Sequence, residues 1–317
     1  MSVKSNVLTI LEERKGDSVS GEELAITLGV SRTAVWKAVK SLISDGHDVT
    51  ATTNKGYVLH EKSNVLSVEG ISRLLEKECD VFVYDTLVST NDTAKIKAIE
   101  GAKEGTVVVA KEQIGGKGRR GRSFFSPNDS GIYMSVILSP DVTPEDSTLI
   151  TTASALVTAN AIEDLIQKPA SIKWVNDIYV DGKKCVGILT EGVFDLDGGN
   201  NHKIIVGIGI NLTTNNFPSD FAHRAGNIGE VSKNLLVAKI VNGLLKISST
   251  LKDSKHLTEY KKKCFLLGKE VLVCGKEQYI TFARDIDEKG RLVVELADGS
   301  TMTLNNEEVS AKLNEYA

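Results

Sequence analysis

The run Gln113-Ile114-Gly115-Gly116-Lys117-Gly118-Arg119-Arg120-Gly121-Arg122 interleaves glycine with cations. Glycine lets backbone N–H groups approach an anion with no Cβ in the way, while ammonium and guanidinium groups neutralise its charge. The run is therefore chemically suited to phosphate. Gly116, Gly118 and Gly121 satisfy the letter of GxGxxG, but the chain continues into Ser123-Phe124-Phe125-Ser126-Pro127 instead of opening a helix, which excludes a dinucleotide site of the Rossmann kind. No GxxxxGK[ST] occurs, so a P-loop is excluded too. Taken alone, such a run serves equally well as an RNA-binding or structureless Arg/Gly stretch.

Three further segments place polar groups at the ends of apolar runs: Lys173-Trp174-Val175-Asn176-Asp177, Lys184-Cys185-Val186-Gly187-Ile188-Leu189-Thr190-Glu191, and Gly207-Ile208-Gly209-Ile210-Asn211-Leu212. The alternating Gly207 and Gly209 strip one face of a strand, which suits a flat ligand lying on a sheet. Trp174 reads as core, the commoner fate of a lone aromatic on a strand. Cys79, Cys185, Cys264 and Cys274 form no CxxC pair and the five histidines no HExxH spacing, so no zinc site and no protein-built metal cage is expected.

These residues need a scaffold. The chain has 317 residues, 41% of them hydrophobic and 25% charged, with 5 prolines, the composition of a globular protein with more than one domain. Lys and Arg number 38 against 42 Asp and Glu, a net charge of −4, so nucleic acid is not bound by bulk charge and any such binding needs a local patch. The N-terminus does not read as a signal peptide, and the apolar stretch from Thr148 to Ile166 carries Asn160, Glu163 and Asp164, which makes it a buried helix and not a membrane span. A cytoplasmic protein with reduced thiols and no membrane contact is expected.

In the first sixty residues, apolar positions from Val3 to Leu11 are helically spaced, Ser20 and Glu23 form a capping box for a helix ending at Gly29, and Ser31 caps a third helix through Val35, Val39 and Leu42. The alternating stretches around Asn54-Lys55-Gly56 follow as a hairpin wing. In a winged helix-turn-helix the third helix enters the major groove, which makes Ser31, Arg32, Thr33, Trp36, Lys37 and Lys40 the DNA-contact candidates, with Lys55 on the wing. Residues 1–62 carry eight acidic and eight basic side chains, so position and not charge excess supports that assignment. The middle of the chain predicts a mixed sheet: a helix near Val68 to Glu76, strands at Val81 to Tyr84, Thr106 to Ala110, Ile132 to Leu138, Ser171 to Trp174, Cys185 to Thr190 and Ile204 to Ile210, and helices over Asp92 to Ile99 and Thr148 to Ile166. The last sixty residues predict short strands at Lys269 to Val273, Tyr279 to Ala283, Arg291 to Leu296 and Ser300 to Leu304, turning at Gly290 and Gly299.

With Ser89-Thr90-Asn91, the Gly116-to-Arg122 loop, the Lys173-to-Asp177 motif, Lys184 with Gly187-Ile188-Leu189, and Gly207-to-Asn211 in view, the chain resembles the bifunctional biotin protein ligases that also act as biotin operon repressors, along essentially its whole length. The resemblance implies an α/β (α+β) multidomain protein: a winged helix-turn-helix over residues 1–62, a mixed-sheet ligase domain over 63–266, and an SH3-like barrel over 267–317. It implies two half-reactions, in which biotin and ATP form biotinyl-5′-adenylate and a lysine of a biotin carboxyl carrier protein then takes the biotin. Ser89, Thr90, Asn91 and Gln113 would bind biotin, Lys117, Gly118 and Arg119 would fold over biotin and the adenylate phosphate, and Lys184, with Arg119, would serve catalysis. Asn176, Asp177 and Asn211 would help hold nucleotide, with Mg²⁺ arriving on ATP near Asp177. Operator DNA and a homodimer promoted by the adenylate complete the implied partners. The family commonly has Arg where this chain has Lys117, which keeps the charge and loses the bidentate fork, and Pro where it has Val175. The rivals are a lipoate-type protein ligase and a ligand-sensing transcription regulator without catalysis.

Overall fold

The computed structural model describes residues 2–52, 56–141, 143, 146–193, 202–274, 278–305 and 308–311. At the N-terminus, α1 (Val3–Glu13), α2 (Gly21–Leu28) and α3 (Arg32–Ser44) pack around Val7, Leu11, Leu24, Val35 and Leu42, a core of their own. The Ser20 hydroxyl accepts from the Glu23 N–H at 3.0 Å, while the Glu23 carboxylate accepts from Arg14, so the predicted capping box is used in one direction and an ion pair takes up the other. Gly29 ends α2 in the left-handed region at φ 62°, and Ser31 caps α3 by accepting from the Ala34 N–H. β2 (Val49–Thr52) and β3 (Gly56–Leu59) form the wing, and β1 (Ser18–Val19) pairs with β3 to make a three-stranded sheet. The wing tip, including Lys55, lies outside the described residues.

The central unit is a seven-stranded sheet in the order β4-β5-β6-β10-β9-β8-β7. β4 (Val81–Leu87) and β5 (Val107–Gln113) are parallel and joined through α5 (Thr90–Ile99). β6 (Gly131–Leu138), β7 (Ser171–Lys173), β8 (Asp177–Val180), β9 (Lys183–Val193) and β10 (Lys203–Asn211) complete it in antiparallel pairs. Both faces are covered, which is why β6 is buried at every position. On one face α5 buries Ala94 and Ala98 against Val108, Ile137 and Ile205. On the other, α6 (Ser147–Ile166) and, after the short α7 (Ser219–Ala222), α8 (Lys233–Ser248) pack on Val107, Val136 and Val206. α6, the one described helix long and apolar enough to cross a membrane, is mostly buried inside the protein. The helix predicted over Val68 to Glu76 is shorter: α4 (Val68–Ser72) stops there because Asn242 of α8 donates to Leu74 O and accepts from the Glu76 N–H, taking those groups out of a helical ladder.

The C-terminal strands β11 (Glu270–Cys274), β12 (Gln278–Ile286), β13 (Leu292–Glu295) and β14 (Thr301–Leu304) match prediction, and β15 (Glu308–Ala311) adds an unpredicted fifth. They form an antiparallel sheet in the order β14-β13-β12-β11-β15. Among the described residues no ladder joins β14 to β15, so the expected closed barrel is an open sheet. Its apolar side does not need closure to be covered. Val271, Val273, Val294 and Leu304 belong to the same contiguous core as α6 and α8, and α9 (His256–Lys263) ties the two units through the Lys261–Asp285 ion pair.

His256 is buried where α9 meets α6, its Nε2 3.0 Å from Thr152 Oγ1, and burial lowers its pKa to about 4. A group whose folded pKa is depressed contributes stability that is lost as pH falls, here through the window from about 6.5 to about 4, with a limiting loss of about 3 kcal/mol. Urea midpoints measured at pH 7 and pH 5 are expected to fall in the native chain and to fall less in His256→Gln. His47, whose pKa burial also lowers, contributes the residual slope.

Candidate active site

The cleft opens where α5 begins, so that the sheet face is covered by helix on one side of Ser89 and bare on the other. Its floor is a patch in register across three strands: Tyr133 and Ser135 of β6 oppose Gly209 and Gly207 of β10, which oppose Gly187 and Leu189 of β9. The glycines are needed for space. A Cβ on Gly207 would lie 2.1 Å from Asn91 Oδ1, and one on Gly209 would lie 2.4 Å from the Phe124 ring. The face predicted to be bare for a ligand is thus partly filled by the protein's own Asn91 and Phe124, and what remains is a cleft open to solvent, with room of about 150 Å³.

Above the floor runs a continuous polar network. Gln113 Oε1 accepts from the Thr90 N–H at 2.8 Å and lies 3.1 Å from Thr90 Oγ1, while its Nε2 donates to Ser126 Oγ at 3.0 Å. The Ser135 hydroxyl lies 2.8 Å from Thr90 Oγ1 and donates to Asn91 Oδ1 at 2.6 Å. Asn91 Nδ2 donates to Leu189 O and to Glu191 Oε2, and Lys95 donates to the other Glu191 oxygen. Asn91 therefore directs its amide into the protein and acts as a support, whereas the Ser89, Thr90 and Gln113 side chains line the cleft with capacity to meet a ligand. Sequence reasoning gave no role to Ser126, Ser135 or Glu191, because a lone serine in a loop or on a strand carries no spacing signal and Glu191 entered only as the end of a polar-ended segment.

The cations stand at the other end. Lys184 Nζ is 2.7 Å from Asp177 Oδ1, and Arg119 donates to Asn176 Oδ1 at 3.2 Å. Asn176 is held by its own Nδ2 donating to Ile188 O. Lys117 pairs with Asp92 at 2.6 Å, and that hydrogen bond raises its pKa. Gly118 N–H donates to Arg122 O and Phe124 N–H to Gly116 O, which folds the glycine-cation run back on itself as an ordered loop; a Cβ on Gly116 would lie 2.5 Å from Phe124 O. Ser89, Thr90, Asn91, Gln113, Lys117, Gly118, Arg119, Asn176, Asp177 and Lys184 all line this cleft. Asn211 does not: it sits at the end of β10, where its Nδ2 donates to Gly226 O and supports the segment that also bonds Lys184 through Lys184 N–H to Arg224 O and Gly226 N–H to Lys184 O.

Trp174, read as core, is buried and also lines the cleft, with its indole N–H donating to Gly290 O of the C-terminal sheet at 2.9 Å. Val309 of β15 reaches the same cleft, so the C-terminal sheet contributes to its wall. The trans-domain lining has no signature in local sequence. Among the described residues no group of three or more His, Cys, Asp or Glu is placed to hold a metal ion. Cys185, next to Lys184, is buried and its thiol is pushed up to about 11, which keeps it protonated and unfit as a nucleophile at neutral pH. The site is equipped for positioning and charge neutralisation.

On the N-terminal unit, α3 buries Val35, Ala38, Val39 and Leu42 and presents Arg32, Thr33, Trp36, Lys37 and Lys40 to solvent, with Ser31 at its start. These six candidates share one accessible end and face.

Residues 84–211 match the model of the biotin/lipoate A/B protein ligase family, and residues 3–58 match an HTH domain. A protein from Bacillus subtilis named "Bifunctional ligase/repressor BirA" is 35% identical over 236 residues, covering 73% of this chain and 72% of that protein. One of the same name from Escherichia coli is 29% identical over 291 residues, covering 88% and 89%. The solved biotin protein ligase from Aquifex aeolicus in complex with biotin and ATP superposes with a TM-score of 0.62 at 26% identity, covering 74% of this chain and 99% of its own. With the ligase model over the cleft and the helix-turn-helix model over α1 to β3, the chain belongs to the bifunctional ligase/repressor members of the biotin/lipoate A/B protein ligase family.

Proposed function

We propose that this chain activates biotin with ATP, transfers it to a lysine of a biotin carboxyl carrier protein, and represses a biotin operon when loaded with the activated intermediate. The observation that carries the reading is the division of one cleft into a neutral end of hydroxyl and amide groups, Ser89, Thr90 and Gln113, and a charged end, Lys184 with Asp177 and Arg119 with Asn176. A cyclic urea offers N–H donors and a carbonyl acceptor to the first end, and a carboxylate and a polyphosphate need the second. A lipoyl ring has no donor or acceptor of that kind, so the polar end favours biotin over the lipoate-type reading. A sensor without catalysis has no need of Lys184 and Arg119 together, and both are present.

In the first half-reaction a biotin carboxylate oxygen bonds to the α-phosphorus of ATP and pyrophosphate leaves; in the second, the carrier lysine amine bonds to the acyl carbon, AMP leaves, and the amine loses a proton. Lys184 stands where its ammonium meets both the carboxylate and the α-phosphate, held by Asp177. Arg119 and Lys117, with the Gly118 backbone, close over the phosphate, and Asn176 orients Arg119. Mg²⁺ would enter with the nucleotide substrate, near Asp177, and would supply charge neutralisation to the polyphosphate. Asn211 acts through the segment behind Lys184. The work divides at residues 62 and 266: the N-terminal part contacts operator DNA through Ser31, Arg32, Thr33, Trp36, Lys37, Lys40 and Lys55, and a C-terminal SH3-like domain walls the cleft. A homodimer promoted by biotinyl-5′-adenylate supplies the second half-site, in the cytoplasm where carrier and operator meet.

The direct test is incubation with ATP, Mg²⁺, labelled biotin and a carrier domain; label on the carrier lysine is the expected result. Lys184→Ala is expected to lower pyrophosphate release on the order of 100-fold with the fold intact by circular dichroism, the scale for removing one preorganised charge-stabilising group. Gly207→Ala forces Asn91 off the sheet and is expected to raise the KM for biotin about 10-fold, the loss of one or two hydrogen bonds, while the KM for ATP holds. Gel-shift and sedimentation of the full chain are expected to give tighter operator binding and a shift toward dimer when biotin and ATP are added, whereas removal of residues 1–62 abolishes DNA binding and leaves transfer to the carrier.

A further inference from the structure

Trp36 is 52% exposed at the centre of the solvent face of α3, a costly place for an indole. The helix over Arg32–Ser44 contains no acidic residue, so Trp36 sits between Arg32 before it and Lys37 and Lys40 after it on a surface complementary to a polyanion. Lys40 Nζ lies 5.2 Å from the ring centroid, a cation–π contact that restrains the ring while keeping the charge at the same face. Trp36 is the fifth residue of the helix, within the N-terminal half that reaches base edges when such a helix enters the major groove.

Base edges in that groove present hydrogen-bond acceptors and amino donors, with a single apolar exception, the C5-methyl of thymine. Among the base-edge groups that tell the pairs apart, that methyl is the apolar partner an indole surrounded by cations can cover. Resting on the reading of α3 as the DNA-contacting helix, we infer that Trp36 is a specificity-determining residue that packs on a thymine methyl, one in each half-site, while Arg32, Lys37 and Lys40 hold the flanking phosphates and base edges.

The experiment uses the full chain with biotin, ATP and Mg²⁺. A duplex is first enriched from a random-sequence 30-bp pool, and each thymine in it is then replaced singly by deoxyuridine, which removes the methyl and nothing else. The expected result is that one thymine per half-site costs the native protein about four-fold in affinity, the scale of one buried methyl, and that Trp36→Ala binds the parent duplex more weakly and is indifferent to the same replacement. Circular dichroism and thermal melting of Trp36→Ala keep a folding defect from being read as lost recognition. Equal affinity of the native protein for every deoxyuridine duplex overturns the inference and leaves DNA binding standing, as does a Trp36→Ala protein that keeps the native preference. A Trp36→Ala protein whose base preference is native but whose dimerisation is weakened assigns the ring to a second copy of the chain, and also overturns it. Failure of the pool to enrich any sequence overturns the DNA-binding reading itself.

Discussion

The cleft depends on one steric constraint: two neighbouring strands of the central sheet, β9 and β10, lack a Cβ at Gly187, Gly207 and Gly209, and Asn91 and Phe124 occupy the space. Side chains on neighbouring strands stand about 5 Å apart and normally fill such a face. Removing them here lets the start of α5 come down onto the sheet, which brings Thr90 and Asn91 within hydrogen-bond distance of Ser135 on β6 and of Glu191 on β9. Helix, loop and three strands are then locked by one buried network, in which each member has its partners inside the protein.

The charges follow a complementary rule. Lys184 is matched by Asp177 and Lys117 by Asp92, so two of the cations that line the cleft each have an anion beside them, while Arg119 is held by the neutral Asn176. Cations so restrained are placed for an incoming phosphate or carboxylate with little further ordering, which is the condition under which electrostatic stabilisation is most effective. The absence of a competent thiol next to Lys184 fits the same economy, since an acyl-adenylate route needs no enzyme nucleophile.

The helix-turn-helix and ligase units are joined covalently and also touch directly, the Ser5 hydroxyl of α1 donating to Glu69 Oε1 of α4, and the linker between them is held by the start of α8. Asn64, in the connection after the wing, donates to Val231 O and accepts from the Lys233 N–H, and Asn234 bonds Ser67 N–H and Val65 O. The stretch leading into these residues is the one whose Gly226 and Arg224 backbone groups hold Lys184, and whose Ile228 N–H is held by Asn211 O. The start of α8 thus anchors the linker while the segment before it backs the cleft.

Much of this was legible in the linear chain. The caps at Ser20 and Ser31, the left-handed stop at Gly29, the strand runs and the glycine-cation loop are local features whose physics acts within a few residues, and they stand close to where the sequence places them. The residues that the resemblance assigns to biotin, adenylate and nucleotide likewise line one cleft, except Asn211. Tertiary structure alone decided the rest. That Asn91 turns inward, that Ser135 and Glu191 hold it, that Trp174 is tied to Gly290, that α4 is cut short by Asn242 and that the last five strands form an open sheet all rest on partners 40 to 170 positions away or on another layer of the fold. A side chain's periodicity reports which face of its own element it occupies; which distant groups meet that face is set only when the elements pack.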